Sequence, residues 1–581
     1  MSAYPRFRYQ ESIMGPEAPD FLDVNKRVLE ITDSNNLNYA SGQIMLDLNA
    51  LVSSKEFFDA KSSWISIPIT LEAALSGDNL LVWDANFRES QEAASFLSLK
   101  NHHASVIAGV SIQCNGQSLE SVQAHSTLPV LFKLNKMWTD EDAFVVGPTT
   151  GFAKPEQGEA YTARRGDKLY NANVGVVDAT PIVPTATPWS SADARQRRCV
   201  SLVNNEYTSP LFYKGDNTRR ATIYQTSADN KKIRIEYTCN IFLEHIHDLF
   251  AKMDLTRGQH LNLVIHTHTP TTYTRQIRRT AGGVYQFVGQ GAMTSLFQFC
   301  PFNMPYIPND VNLNGGTNGT TVGIFALNGV NPNQAVENAG TLTVRCSIGH
   351  NGEGLGAGYG PGANTYPPSD AIRQCTLNAV MYDLAPEYAL KYVSNAAKDL
   401  TWESCLIKND SSLGPIAPGS YVRSNLTNGQ SFLRYLLILP YVADQNHPFN
   451  QMNSPFSEWG VGSYAPYATI AQLQVTMSGR PLFDRPLDYT AVQYLMEQDG
   501  VFALNGNGMD GVRQGLINMK GFQTNQSGLL INLTHRLAAS DPLPTAVEVS
   551  WKNTSNVPMS YLVFVVFSKT AAFNVVTGQV E

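Results

Sequence analysis

Two stretches of this chain are written in one pattern. ASVIAGVSIQCNGQSL (104–119) resembles ATIAQLQVTMSGRPLF (468–483). With Gly116 set on Gly479, the apolar row Val106, Ala108, Val110, Ile112 and Cys114 falls on Thr469, Ala471, Leu473, Val475 and Met477. Strand side chains alternate between two faces, so a one-residue slip would turn such a row outward. Each copy ends in a polar-Gly turn followed by a segment of helical character, Leu119 to Leu134 and Tyr489 to Glu497. Upstream, SWISIPITL (63–71) sits over YLLILPYVA (435–443) with Pro68 on Pro440, and the strand at 43–49 matches Leu400 to Lys408. Matches in one order read as a duplication: two copies of one unit, each preceded by a short helix, with a hinge near Ser394 to Lys398.

The unit is a β-sandwich. Ile44, Leu46 and Leu48 line one face of a strand; Ile65, Ile67, Ile69 and Leu71 line another; Leu261, Leu263 and Ile265 begin a third. Period-two alternation gives one buried face per strand, as in two packed antiparallel sheets, whereas parallel sheets read as continuous apolar runs between helices. Beyond the segments after the two turns, helical patterns are few: Asp20–Ile31, Cys239–Met253 and Pro386–Ala397, the last opening on a proline that the first turn tolerates. Segments 139–225 and 301–370 are predicted as long loops, the second containing the glycine-rich stretch Gly352–Gly362. Loops of that length inside a compact domain are usually functional.

Charged residues make up 16% of the 581, against about 25% in an average soluble protein. With 43 Gly, 31 Pro, 25 Tyr and 26 Phe, this composition excludes a coiled coil, a collagen and a wholly disordered chain. Net charge is −7 with no polybasic run, so specific nucleic-acid binding is not expected. The seven cysteines, Cys114, Cys199, Cys239, Cys300, Cys346, Cys375 and Cys405, are widely spaced with no C-x-x-C, which predicts reduced thiols in a reducing compartment. The opening MSAYPRFRYQ lacks a signal-peptide apolar stretch. The longest apolar run, Tyr561–Phe567, is far shorter than the roughly 20 residues of a membrane-spanning helix.

No catalytic constellation is present: neither a phosphate-binding G-x-x-x-x-G-K-[ST] nor a G-x-S-x-G nucleophile motif occurs. His245 with His247 and His266 with His268 are two apart, but a closed zinc site needs four ligands, so the expectation is packed or solvated histidines. Arg195, Arg197 and Arg198 read as a solvated loop face. No catalytic, cofactor-binding or metal residues are assigned, and no cofactor is expected.

EHIHDLFAKMDLTRGQHLNLVIHTHT (244–269), CTLNAVMYDLAPEYALKYVSNAAKDLTW (375–402), YLLILPYVADQNHPFNQMNSPFSEWG (435–460) with LQVTMSGRPLF (473–483), and YLVFVVFSKTAAFNVVTGQV (561–580) together resemble double jelly-roll major capsid proteins. The nearest are those of polinton-like viruses, virophages and Polintons; giant-virus, adenovirus and tailless-phage capsid proteins are more distant. The resemblance covers most of 40–580, and the two long loops match nothing in it. It implies an all-β chain of two tandem jelly-roll β-sandwiches: an N-terminal arm at 1–35 on the inner side of a shell, a first roll at 36–393 carrying both long loops, and a second roll with a C-terminal tail at 394–581. It further implies a structural, non-enzymatic subunit of an icosahedral double-stranded DNA virus. Pseudo-hexagonal homotrimers would meet neighbouring capsomers, pentons and minor capsid or cement proteins in the virion; separately, the apolar residues of the long loops need burial against symmetry mates, which predicts an outer crown built from them. Synthesis and assembly would occur in the host cytoplasm or nucleus, and an internal membrane is left open. The alternative is a carbohydrate-binding or glycan-processing β-sandwich, for which Trp138, Trp189 and Trp459 in loop contexts would serve.

Overall fold

The computed structural model describes residues 23–76, 81–83, 98–151, 222–225, 232–279, 285–303, 325–327, 336–349, 374–394, 397–444, 450, 452–455, 470–502, 528–534, 544–555 and 557–574, apart from positions 53, 101, 122, 123, 254 and 454. They form two sandwiches in tandem, each a jelly roll. In the first, the long strand Phe57–Ser76 is the axis of the larger sheet. Lys232–Phe242 pairs along one side of it. On the other side Thr376–Leu384 pairs with 57–66 and Val336–Ile348 with 69–76, end to end. Asp23–Thr32 borders Thr376–Leu384, and Thr271–Arg279 links Val336–Ile348 to Tyr285–Ser295. The facing sheet runs Gln43–Asp47, Leu261–Thr267, Ile107–Cys114, Gln117–Glu120.

The second sandwich repeats this order. One sheet runs Ala397–Lys408, Met559–Asn574, Leu433–Val442, Leu529–Asn532; the other runs Tyr421–Gln430, Thr545–Asn553, Ile470–Met477, Arg480–Pro481. Ile107–Cys114 and Ile470–Met477 thus hold the same place, and Phe57–Ser76 corresponds to Leu433–Val442, as the repeat predicts. The expected inward rows are buried: Val110, Ile112 and Cys114 in one copy, Leu473, Val475 and Met477 in the other. Thr469 lies outside the described residues, and Ala471 is half-buried beside a bulge at Gln472. Both hairpins turn through two residues of positive φ, 48° and 82° at Asn115 and Gly116, 46° and 81° at Ser478 and Gly479. This is the type I′ geometry that matches strand twist. A helix follows in each copy, Thr127–Met137 and Ala491–Phe502.

Several expectations change. Asp20–Ile31, predicted as a helix, contributes the strand Asp23–Thr32 instead. A helix that short is marginal in water, while the strand gains a continuous ladder with Thr376–Leu384 and turns Leu29 and Ile31 toward the core. The stretch 1–35 therefore supplies the first strand of the first sandwich. Its counterpart is Ala397–Lys408, which borders the closing strand in the same way; 43–49 corresponds to Tyr421–Gln430, not to Leu400–Lys408. Cys239–Met253 is the end of a strand, a 3-10 turn at Leu243–His245 and a short helix Asp248–Lys252. Of the expected helix Pro386–Ala397, Pro386–Ser394 is helical and Ala397 begins the next strand. Segment 301–370 contains the strand Val336–Ile348, whose inward row Leu342, Val344, Cys346 and Ile348 shows the period of two. Segment 139–225 opens with helices Asp140–Val145 and Gly147–Thr150 and ends in the strand Thr222–Gln225. Segment 301–370 also holds the short strands Phe302–Asn303 and Phe325–Leu327, while Gly352–Gly362, Arg195, Arg197 and Arg198 lie outside the described residues.

Two outcomes follow. Truncation of 1–35 removes Asp23–Thr32, bares the edge of Thr376–Leu384 and sends the protein into aggregates; light scattering and circular dichroism of the truncated and full-length proteins check this. At Gly116 and Gly479 an added Cβ would meet nothing within 4 Å, so only backbone strain operates. Gly116→Ala and Gly479→Ala should each cost about 1 kcal/mol in denaturant unfolding.

Candidate functional site

The second roll's larger sheet is apolar on both faces. Leu436, Ile438, Val563 and Val565 point into its own sandwich; Leu437, Leu439, Leu562, Phe564 and Val566 point the other way and are equally buried. That explains the unbroken runs YLLILP and YLVFVVF, since strands covered on both sides lose their alternation. The cover comes from two sources. Tyr494 and Val501 of helix Ala491–Phe502 belong to the same roll; Leu128 and Phe132 of helix Thr127–Met137, with Phe299, come from the first roll. Helix Thr127–Met137 is a wedge: Leu131 and Leu134 face the first roll's core while Leu128 and Phe132 enter the second roll's cluster.

Charges line the edge of this seam. Lys133, alone on the apolar part of that helix, bonds Asp248 Oδ1 at 3.0 Å and Glu403 Oε2 at 3.1 Å. The edge-strand N–H of Glu403 donates to Asp248 Oδ2 at 2.9 Å. Burial works against charging Lys133, yet Glu403 and Asp248 hold its pKa above the usual lysine value. Burial likewise opposes ionisation of Asp248, but Lys133 and the Glu403 N–H keep its carboxyl below the usual range. Nearby, Glu120 of the first roll accepts from Trp402 Nε1 at 2.6 Å, Ser404 Oγ at 3.1 Å and Lys569 Nζ at 3.1 Å, all in the second roll. The space between Lys133, His247, Asp248, Glu403 and Tyr435 is about 20 Å³, room for a single water and no substrate. The arrangement fastens two sandwiches together.

The predicted histidine pairs are separated. His266 is half-buried on the strand, while a register shift between His266 and Thr267 turns His268 inward. His245 packs against His102 and Trp138, and His247 Nδ1 accepts from Leu249 N at the start of helix Asp248–Lys252. Among the described residues no group of three His, Cys, Asp or Glu is placed to hold a metal, and no helix is long and apolar enough to cross a membrane. Trp138 is half-buried, its ring 6.4 Å from that of His102; Trp189 and Trp459 lie outside the described residues. Cys114, Cys239, Cys300, Cys346, Cys375 and Cys405 are free thiols. Burial pushes Cys114, Cys300 and Cys405 up to about 12, which suppresses their reactivity; Cys199 is outside the described residues.

Sequence reasoning missed Glu120, Lys133, Asp248, Glu403 and Lys569. One signal was available: Lys133 interrupts LPVLFKL, and a lone cation within an apolar helix face implies buried anions.

No protein-family model matches the chain, and no curated protein matches it in sequence. Among solved structures it is similar to a chain of the Sputnik virophage, determined by cryo-EM, at 10% identity over 98% of this chain and 90% of that one, with a TM-score of 0.50. It is also similar to the mavirus major capsid protein at 11% identity over 100% and 94%, TM-score 0.43. The Faustovirus major capsid protein matches at 9% identity over 96% and 92%, TM-score 0.40. The chain has the double jelly-roll fold and resembles virophage capsid chains in that fold.

Lys133→Met would leave Asp248 and Glu403 as buried, unneutralised carboxylates, and Glu120→Ala would strand Trp402 Nε1. Lys133→Met should destabilise the protein by about 3–5 kcal/mol and Glu120→Ala by about 1–3 kcal/mol, each read as a drop in thermal midpoint at pH 7.

Proposed function

We propose that this chain is the structural major capsid protein of an icosahedral double-stranded DNA virus of the polinton-like and virophage kind. It acts as a homotrimeric, pseudo-hexagonal building block rather than an enzyme. The observation that carries the reading is the unequal use of two equivalent helices. Thr127–Met137 spends its second apolar face on the neighbouring roll of the same chain. Ala491–Phe502, its counterpart in the second roll, leaves Val492 and Met496, one turn apart, 55% and 66% exposed. A surface that repeats inside the chain and stays open at one end calls for the next copy, and a head-to-tail contact whose rotation closes generates a ring. Three chains of two rolls give six near-equivalent positions, a tile that packs on a flat facet.

Its partners in this reading are two further copies, neighbouring capsomers, and penton and minor capsid or cement proteins; its place is the virion, after synthesis in the host cytoplasm or nucleus. In this reading the outer crown draws on segments 139–225 and 301–370 apart from the sheet strands Thr222–Gln225 and Val336–Ile348. A sandwich that binds glycans as a monomer is the competing reading.

Mass measurement at low concentration tests the proposal. The protein should run as a trimer, and Val492→Asp with Met496→Asp should yield folded monomers. A wild-type protein that stays monomeric and well folded at high concentration would sink it.

A further inference from the structure

Six histidines, His102, His103, His125, His245, His247 and His268, are buried in the first roll close to the seam. Two of them lie directly under it. His125 and His268 stack with ring centroids 5.3 Å apart, and His268 stacks on Phe299 at 4.3 Å. Phe299 belongs to the apolar cluster that joins the rolls, together with Leu128, Phe132 and second-roll Met452. His125 also sits at the root of the wedge helix, where its carbonyl accepts from Leu128 N at 3.0 Å. The Nδ1 atoms of both rings are buried with no hydrogen-bond partner among the described residues.

We propose that the His125–His268 stack is a proton-operated latch on the seam, holding the two rolls together while neutral and releasing the wedge helix when acid charges it.

The surroundings offer a proton no compensation. Among the described residues the cationic group acting on the pair is Lys100, with Cys300 beside Lys100. Lys100 is fully buried, donates to Met452 O at 3.2 Å and lies 4.8 Å from the Phe299 ring centre. Cys300 lies on the same segment as Phe299, and its backbone N–H donates to Met452 O at 2.8 Å. Helix Thr127–Met137 presents Leu128 and Phe132 to the seam. No carboxylate among the described residues pairs with either ring, so an imidazolium would stand beside an ammonium in an apolar setting, which disfavours it. The neighbouring nest differs: His245 has Glu244 Oε1 at 3.9 Å from its Nε2, and His247 faces Glu120, Asp248 and Lys569. His102 Nδ1 is already used in accepting from Ala104 N.

Burial lowers His125 to about 4, and burial, His125 and Lys100 lower His268 well below the usual value. A histidine depressed in the closed state stabilises that state above the free value of about 6.5, and the contribution is lost as pH falls from there toward the depressed value. With His125 at about 4, opening at pH 5 is favoured about 30-fold more than at pH 8 by this residue alone.

Hydrogen–deuterium exchange of the full-length protein between pH 8 and pH 5, corrected for intrinsic exchange, tests the latch. In the wild type, opening of 127–137 and 433–442 should rise by about 30-fold or more. In His125→Phe/His268→Phe the rise should shrink by at least that factor. His125→Gln/His268→Gln, neutral and polar, serves where the aromatic pair fails to fold. His260→Gln, at an exposed histidine paired with Asp47 at 2.8 Å, should leave the wild-type rise unchanged. A wild type with no rise, or a rise of wild-type size in either double variant, would overturn the proposal. The outcome is independent of whether the chain forms a shell.

Discussion

One sheet buried on both faces decides how this molecule is built. An ordinary sandwich sheet needs one apolar face; the sheet of Leu433–Val442 and Met559–Asn574 has two. Its outer face cannot meet water without exposing Leu437, Leu439, Leu562, Phe564 and Val566 together, a patch of a size that soluble monomers rarely leave open. The first roll covers it with a helix that is itself two-faced. The two sandwiches are consequently one folding problem: neither the wedge helix nor the second roll's sheet is complete alone. The charged rim around Lys133 and Glu120 then fixes the orientation of that contact. A buried ion pair adds little net stability over well-packed apolar groups but penalises every misaligned alternative.

Much of this was legible from residue order. The hairpin pair at Gly116 and Gly479 was readable because the type I′ turn demands positive φ at two positions and few residue pairs satisfy it. The rows through Ile112 and Val475 were readable because a half-buried strand must alternate. Legibility failed where two principles competed. Asp20–Ile31 carries apolar spacing compatible with either a helix or an edge strand, and only a partner distant in sequence, Thr376–Leu384, decides between them. The same long-range pairing shifts the repeat alignment upstream of Phe57. Asp248 and Glu403 could not be paired from sequence because they lie on different rolls, and Lys133 was visible only as an oddity within an apolar helix.

The histidines illustrate a related limit. His245, His247, His266 and His268 attracted attention through their spacing, which suggested shared faces. The bulge at His266 and the 3-10 turn at Leu243–His245 send them to separate neighbourhoods. Their actual partners, His102 and His125, both adopt positive φ, 70° and 68°. Such backbone conformations are uncommon for non-glycine residues and are dictated by the packing of the turns around them.

The strand opposite Phe57–Ser76 is broken, whereas its counterpart Met559–Asn574 is not. Ile348 sits across from Ile69 and Thr376 across from Ser66, so both ends of the interruption are clamped a short step apart on one ladder. Chain inserted between them need not find its own anchor, and its length adds a closure cost that grows only logarithmically. Between Ile348 and Thr376 the sequence can lengthen or shorten while the ladder on either side keeps its register. A foreign epitope or a whole small domain whose termini lie close together would fit the same opening.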